Sequence, residues 1–206
     1  MTNVLIVDSA ATGEASVSHR LTDGVGRALG GRARIVRRDV GAQPVPHLTA
    51  ATTAAIRGAP AETEAAREAL VLSDALVEEL RQADLVIIGA PMYNFGMPST
   101  LKAWFDHVLR ARVTFRYTEA GPEGLLKGKR AIVVETRAGL YSEGEGAAMD
   151  SQEPHIRTLL GFMGISDVTF VRAEKLAFGA DAATASVAAA VAELEALVRS
   201  EVPLAA

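Results

Sequence analysis

The chain has 206 residues, of which 49% are hydrophobic and 22% charged, and this size and composition indicate one soluble domain spanning residues 1–206. Its formal net charge of −4 argues against a nucleic-acid partner, because binding phosphates requires a basic surface. The absence of cysteine excludes disulfides, thiolate metal sites and a cysteine nucleophile, and no apolar run reaches the ~18 residues of a membrane span. We therefore expect a cytoplasmic protein with no membrane partner.

The first predicted element is a buried strand at residues 3–7, followed by a small, hydroxyl-rich loop at residues 9–18. This loop leads into a helix whose apolar spacing includes Leu21, Val25 and Leu29. Backbone N–H groups at a helix start, together with the helix dipole and nearby hydroxyl groups, suit a phosphate monoester. An ordinary connection capped by a serine is equally compatible with this stretch.

The middle of the chain alternates predicted strands and helices. A second strand is expected at residues 33–37, and residues 62–82 repeat apolar positions at the spacing of a long helix. Between them, residues 49–60 are rich in alanine and threonine and are compatible with either a short helix or a mobile flap. The short apolar run within residues 84–89 predicts a third, fully buried strand.

A loop stiffened by two prolines joins the third strand to an amphipathic helix expected at residues 99–112. The loop contains Met92, Tyr93, Asn94 and Phe95. Loops at the carboxyl ends of strands are the usual ligand-binding positions in α/β proteins. Aromatic and amide side chains suit a flat, partly polar ring better than a bare phosphate, so this loop predicts a flavin site.

The rest of the chain predicts two more strands and two more helices. A glycine- and proline-rich loop at residues 114–128 precedes them, and the polar loop 136–139 follows the fourth strand. Residues 140–150 contain several glycines and acidic residues, which indicates flexibility. The two strands are expected at residues 130–134 and 167–171, and the two helices at residues 154–163 and about 182–200.

Five strands that alternate with five helices predict an α/β fold, a parallel sheet with helices on both faces. The leading arrangement is a flavodoxin-like three-layer sandwich whose strand order is 2-1-3-4-5. In that order the loops at residues 9–18, 91–96 and 136–139 meet at one edge of the sheet. A phosphate site, a ring site and a second polar loop together match FMN, whose redox chemistry requires no catalytic side chain from the protein.

Other polar and aromatic side chains have simpler interpretations. We expect surface or capping roles for the histidines, and none forms a recognised metal-binding pattern. Arg137 is compatible with a surface charge and equally with a cofactor or substrate role. The helix at 99–112 carries a charge ladder expected to face solvent and two aromatics expected in the core or a subunit interface. The histidines are His19, His47, His107 and His155, the ladder is Lys102, Asp106 and Arg110, and the aromatics are Trp104 and Phe105.

Several stretches of the chain carry a family resemblance. The central one runs from Pro91 to Phe95 and continues on the next helix. The other matching stretches are Leu101-Lys102, Phe105-Asp106, Val113 to Thr118, Gly121 to Leu125, Gly128-Lys129 and Leu160 to Ile165. With these motifs the chain resembles the FMN-dependent NADH-azoreductases, a flavodoxin-like family of quinone reductases, over essentially its whole length.

This resemblance implies a homodimer with two FMN sites at the subunit interface. NADH or NADPH reduces the flavin and leaves, after which a quinone or an azo compound takes two electrons in a ping-pong cycle. The family's cofactor-binding residues match Ser9, Ala10, Ser16, Val17, Ser18, Pro91, Met92, Tyr93, Asn94, Phe95, Thr136, Arg137, Ala138 and Gly139. Its substrate-pocket residues match Arg57, Tyr117 and Phe162.

Two positions depart from the family's pattern. Many members have a second serine at the position of Ala10, so one hydrogen bond to the cofactor is expected to be missing. Ala138 replaces a glycine, and we expect its side chain to restrict a turn with positive φ or the approach to the ring. Two alternative functions stay open: an electron carrier that binds FMN but serves a protein partner, and a flavin-free interaction module on the same fold.

Overall fold

A five-stranded parallel sheet forms the centre of the computed structural model, which describes residues 1–201. The strands are β1 (Thr2–Asp8), β2 (Ala33–Asp39), β3 (Leu85–Pro91), β4 (Phe115–Thr118), β5 (Gly121–Gly124), β6 (Arg130–Thr136) and β7 (Asp167–Ala173). The helices are α1 (Val17–Leu29), α2 (Ala50–Ile56), α3 (Glu64–Gln82), α4 (Ser99–Val108), α5 (Glu153–Met163) and α6 (Ala180–Glu201). None of these helices combines the length and apolar character needed to cross a membrane.

The strand order of the main sheet is β2-β1-β3-β6-β7, which confirms the predicted order 2-1-3-4-5 once the short strands β4 and β5 are set aside. All neighbouring strands of this sheet run parallel. Every residue of β3 is buried, as expected for a central strand covered by helices on both faces. The flavodoxin-like architecture predicted from the alternation of strands and helices is therefore present.

Helices cover both faces of the sheet, and each face has its own apolar core. On one face α1 and α6 contribute Leu21, Val25 and Leu194. On the other face α3, α4 and α5 contribute buried side chains such as Leu76, Trp104 and Ile156. Trp104 and Phe105 are fully buried and pack edge to face with their ring centroids 4.9 Å apart, so the core interpretation of this pair is confirmed.

Two segments that the sequence left unassigned have defined structure. Residues 50–56 form the short helix α2, whose start is closed by reciprocal contacts between Thr49 and Thr52, so the helical alternative was correct. The loop at 114–128 contains the antiparallel hairpin of β4 and β5. The hairpin packs so closely on the end of α5 that a Cβ at Gly124 would lie 2.1 Å from the backbone nitrogen of Gly164.

The helix expected at residues 99–112 is shorter than predicted, because α4 ends at Val108. The backbone N–H of Arg110 bonds the side-chain oxygen of Thr114 at 2.9 Å instead of continuing the helix. Arg110 itself is buried, and its guanidinium bonds Ser73 and Asp74 on α3 at 3.0 and 2.5 Å. The prediction of a solvent-facing charge ladder is therefore wrong for Arg110.

Candidate functional site

The loops after β1, β3 and β6 meet at the carboxyl edge of the sheet and are joined by hydrogen bonds. The hydroxyl of Ser9 donates to the carbonyl oxygen of Gly89 at 2.6 Å. The backbone N–H of Ala11 donates to the hydroxyl oxygen of Tyr93 at 3.1 Å, which links the first loop to the second. The N–H of Met92 donates to the carbonyl oxygen of Thr136 at 2.9 Å, which links the second loop to the third. The structure thus brings together the three loops that the predicted topology placed side by side.

The first loop presents hydrogen-bond donors at the start of α1. Ser16 is the N-cap, but its side chain makes no capping bond and its Oγ lies 2.9 Å from the Oγ of Ser18. The first backbone N–H groups of an α-helix have no acceptor within the helix, and here the cap side chain does not supply one. Two hydroxyl groups and uncapped N–H groups at the positive end of the helix dipole form a donor set suited to an anion.

The second loop, residues 92–98, is called the Tyr93 loop below. Tyr93 and Gly96 exchange two backbone hydrogen bonds, of 2.9 and 3.1 Å, around a two-residue turn. Both turn residues have positive φ, 48° at Asn94 and 69° at Phe95. Asparagine tolerates this left-handed conformation, whereas phenylalanine adopts it rarely, so Phe95 is a strained residue at a ligand-binding edge. The Phe95 side chain is 45% exposed, which leaves an aromatic surface open at this edge.

The third loop, residues 137–139, pairs with the chain that leaves β7. The N–H groups of Lys175 and Ala177 donate to the carbonyl oxygens of Gly139 and Ala138 at 2.8 and 3.0 Å. Ala138 does not have positive φ, so the expectation that its side chain restricts a left-handed turn is wrong. The side chain of Ala138 is exposed, and that of Ala10 in the first loop is buried.

Arg137 is buried, and this overturns its interpretation as a surface charge. Its guanidinium lies 2.6 Å from a carboxylate oxygen of Glu135, 3.0 Å from one of Asp150 and 3.2 Å from one of Glu174. A fourth contact, from Nε to the side-chain oxygen of Gln152, measures 3.4 Å. The guanidinium therefore has its partners inside the protein, and the main chain of Arg137 is bonded to the end of β7, with its N–H donating to the carbonyl oxygen of Ala173 at 2.9 Å.

Glu135 is the most perturbed acid of this cluster. Its side chain is fully buried, and its Oε1 has no hydrogen-bond partner. Burial raises the pKa of Glu135 from 4.5 to about 8, and the neighbouring Arg137 only partly opposes this effect. At neutral pH the cluster therefore contains one largely protonated glutamate beside the guanidinium.

Sequence reasoning missed two buried residues, Gln152 and Glu174, that bond to the backbone around these loops. Gln152 donates through Nε2 to the carbonyl oxygen of Ala90 at 2.9 Å. The carboxylate of Glu174 accepts from the backbone N–H groups of Tyr141 and Ser142 at 2.8 and 3.0 Å. A detectable signal was available for Glu174, because it directly follows β7 at the same edge of the sheet. Nothing local marked Gln152, which lies just before α5.

The three residues expected in a substrate pocket fall into two groups. The ring of Phe115 touches those of Tyr117 and Phe162, with centroid distances of 5.6 and 4.6 Å. Tyr117 is 73% exposed and Phe162 of α5 is half-buried, whereas Phe115 is buried beneath them, so the open aromatic surface at the hairpin consists mainly of Tyr117. Arg57 is exposed at the end of α2, a helix that packs mainly on α3.

Two of the four histidines are buried, contrary to the expected surface roles. His19 and His107 are 7% and 1% exposed, whereas His47 and His155 are exposed as predicted. Nε2 of His107 lies 3.0 Å from the carbonyl oxygen of Pro46, and burial lowers the pKa of its imidazole. Within residues 1–201, no group of three or more histidine, aspartate or glutamate side chains is arranged to hold a metal ion.

Comparisons with known proteins agree with this architecture. A family model described as having a flavodoxin-like fold matches residues 2–198. A protein of Hyphomonas neptunium named FMN-dependent NADH:quinone oxidoreductase is 54% identical over 195 residues, which are 92% of each chain. A protein of the same name from Azotobacter vinelandii is 48% identical over 185 residues, covering 88% of this chain and 92% of the relative. The crystal structure of an azoreductase from Bacillus anthracis superimposes with a TM-score of 0.88 at 25% identity, covering 97% of this chain and 100% of that one.

We expect the substitution Glu135→Gln to reduce the pH dependence of stability. Because the folded protein retains the Glu135 proton up to about pH 8 while the unfolded chain loses it near 4.5, stability falls as pH rises through this window. The variant should lack this contribution, which amounts to about 1.4 kcal/mol per pH unit within the window. Urea unfolding from about pH 5 to about pH 9 measures the effect. The matched control is Glu119→Gln, which alters an exposed carboxylate, and equal slopes for all three proteins would contradict the prediction.

Proposed function

The chain belongs to the family with the flavodoxin-like fold, and on that premise we propose that it is an FMN-dependent NADH:quinone oxidoreductase that also cleaves aromatic azo compounds. One observation carries the proposal. The uncapped start of α1 and the strained turn at Asn94 and Phe95 lie at the same edge of the sheet, joined by the bond from Ala11 to Tyr93. An anion site and an aromatic, amide-bearing site side by side match the phosphate and the ring of one FMN molecule.

The donors present fit each part of FMN. Uncapped N–H groups and the hydroxyls of Ser16 and Ser18 suit the phosphate, and the exposed amide of Asn94 suits the polar edge of the ring. When bound, FMN supplies the two-electron redox chemistry, and the protein binds and orients it. The residues we assign to this task are Ser9, Ala10, Ser16, Val17, Ser18, Pro91, Met92, Tyr93, Asn94, Phe95, Thr136, Arg137, Ala138 and Gly139. Among these, Arg137 has an enclosed guanidinium, so we assign it the task of holding the third loop in place.

The aromatic surface of the hairpin provides a place for a flat acceptor. Tyr117 and Phe162 both contact Phe115, and Tyr117 is largely exposed, so a quinone or an azo dye can stack there. We assign Arg57 to the same pocket as the cation that meets polar groups of the substrate. The relatives are named for NADH, and we propose NADH as the electron donor and the cytoplasm, where NADH is available, as the compartment.

Kinetics with a purified flavin-loaded protein test this function. The protein should absorb visible light as a flavoprotein does, NADH should bleach that absorbance, and a soluble quinone should restore it. Initial rates at several quinone concentrations should give parallel double-reciprocal lines against NADH, as a ping-pong cycle requires. A protein that acquires no flavin spectrum with added FMN would contradict the proposal. Bound flavin with negligible NADH oxidation would instead identify an electron carrier.

We further propose that the active protein is a homodimer with the FMN sites at the interface. Tyr117, Phe95 and Phe178 are 73%, 45% and 62% exposed, and exposed aromatic surface of this kind favours association. In a dimer, Arg57 of one subunit could contribute to the site of the other subunit, whereas within its own subunit α2 packs mainly on α3. Light scattering at micromolar concentration should give twice the mass of the chain. The mass of a single chain would count against the dimer.

The amide of Asn94 should contribute directly to FMN affinity. We expect Asn94→Gly to weaken FMN binding about tenfold, because glycine keeps the left-handed backbone and only the hydrogen-bonding side chain is lost. The dissociation constant is measured by flavin fluorescence quenching. Arg112→Gly is the matched control, since Arg112 also has positive φ, 66°, but lies beyond the far end of α4. Unchanged affinity in Asn94→Gly would show that the Tyr93 loop binds through its main chain alone.

A further inference from the structure

One guanidinium holds both ends of the segment between the third loop and α5. This segment, residues 141–151, is called the strap below. At its start, Glu174 accepts hydrogen bonds from the backbone N–H groups of Tyr141 and Ser142, and from the Ser142 hydroxyl. Arg137 bonds the same carboxylate at 3.2 Å and, through its other terminal nitrogen, lies 3.0 Å from Asp150 at the strap's end. Arg137 therefore connects the start of the strap to its end through Glu174 and Asp150.

The strap touches the Tyr93 loop at both of these ends. The rings of Phe95 and Tyr141 meet edge to face with their centroids 5.9 Å apart. The backbone N–H of Ser151 donates to the carbonyl oxygen of Phe95 at 3.0 Å. A non-glycine residue with positive φ persists only where its surroundings enforce that conformation. The ring contact with Tyr141 and the backbone bond from Ser151 come from residues distant in sequence, and both help to hold Phe95 in its left-handed conformation.

Between its two ends, the strap buries few side chains. Most side chains between Ser142 and Met149 are exposed, and the segment contains only a short 3-10 turn, Gly144–Met149. Without the guanidinium, the carboxylates of Asp150 and Glu174 would lose the cation that they share. The loss of this link would favour release of the strap and, with it, of Phe95.

We propose that Arg137 is a positioning residue for the ring of the cofactor, acting through the strap on Phe95 and never on the cofactor with its side chain. The inference rests on the proposed function only in naming the ring as that of FMN. The side chain is too deeply buried to reach a ligand, at 0% exposure, and its nitrogens face Glu135, Asp150, Gln152 and Glu174. To bind the phosphate directly, the Arg137 guanidinium would have to direct an N–H group towards the start of α1, but its nitrogens face these four side chains instead.

Comparison of FMN with riboflavin, which lacks the phosphate, separates positioning of the ring from binding of the phosphate. In Arg137→Lys the charge is kept, but the planar fork that spans Glu174 and Asp150 is lost. We expect this variant to bind FMN and riboflavin more weakly by the same factor, about tenfold. Ser16→Ala should weaken FMN binding and leave riboflavin binding unchanged. A loss confined to FMN in Arg137→Lys would overturn the proposal.

A readout independent of flavin keeps the proposal testable if the proposed function fails. Hydrogen exchange of the flavin-free full chain should show faster exchange of the Ser142 and Ser151 amides in Arg137→Lys than in the unaltered protein. Glu174→Ala removes the acceptor of the Ser142 amide itself, so its test is the Ser151 amide, which Glu174 does not bind and which should also exchange faster; this variant serves if Arg137→Lys does not fold. Arg110→Lys alters another buried arginine, paired with Asp74 beyond the far end of α4, and should leave these amides unchanged.

The outcomes are distinct. Unchanged exchange of the Ser151 amide in both Arg137→Lys and Glu174→Ala would overturn the positioning role, whatever the protein binds. An unaltered protein that binds neither flavin would refute the proposed function, and faster exchange in the variants would then still support the action of Arg137 on Phe95.

Discussion

The parallel pairing of β1, β3 and β6 is the constraint on which the candidate site depends. In a parallel sheet the carboxyl ends of all strands lie at one edge, so loops far apart in sequence meet there. The register continues to the last residues of the strands, with Asp8 beside Gly89 and Pro91 beside Thr136. The bonds from Ser9 to β3 and from Met92 to β6 extend this alignment by one residue into the loops.

The charged cluster around Arg137 contributes little to the free energy of unfolding, but it fixes the positions of the chain segments that it joins. Removing charged groups from water costs free energy that a buried ion pair often does not recover, and the raised pKa of Glu135 shows that burial is incompletely compensated here. An apolar cluster would fill the same space, but apolar contacts are not directional and would not fix how these segments are oriented relative to one another. The planar guanidinium does so, since contacts to Glu135, Asp150 and Glu174 are satisfied together in one arrangement of the three segments.

The parts of this structure that sequence predicted are those with local signals. Apolar runs and helical spacing located the strands of the main sheet, and their alternation led to the strand order. The β4–β5 hairpin was missed because Gly121–Gly124 has no strand-like apolar alternation, and its closeness to α5 is a tertiary contact. The burial of Arg110 and Arg137 escaped prediction for a related reason. Asp74 and Glu174 lie 36 and 37 residues away from these arginines, beyond any local pattern.

The two halves of the candidate site are built by different means. The start of α1 is a local structure, since any helix begins with N–H groups that lack acceptors, and the hydroxyls of Ser16 and Ser18 only add to them. The Tyr93 loop instead places a phenylalanine where glycine is the usual residue, at a cost of about 1–3 kcal/mol. Glycine would relieve the strain but remove the aromatic surface that meets Tyr141. The ring side of the site therefore depends on distant contacts that offset this strain, whereas the phosphate side does not.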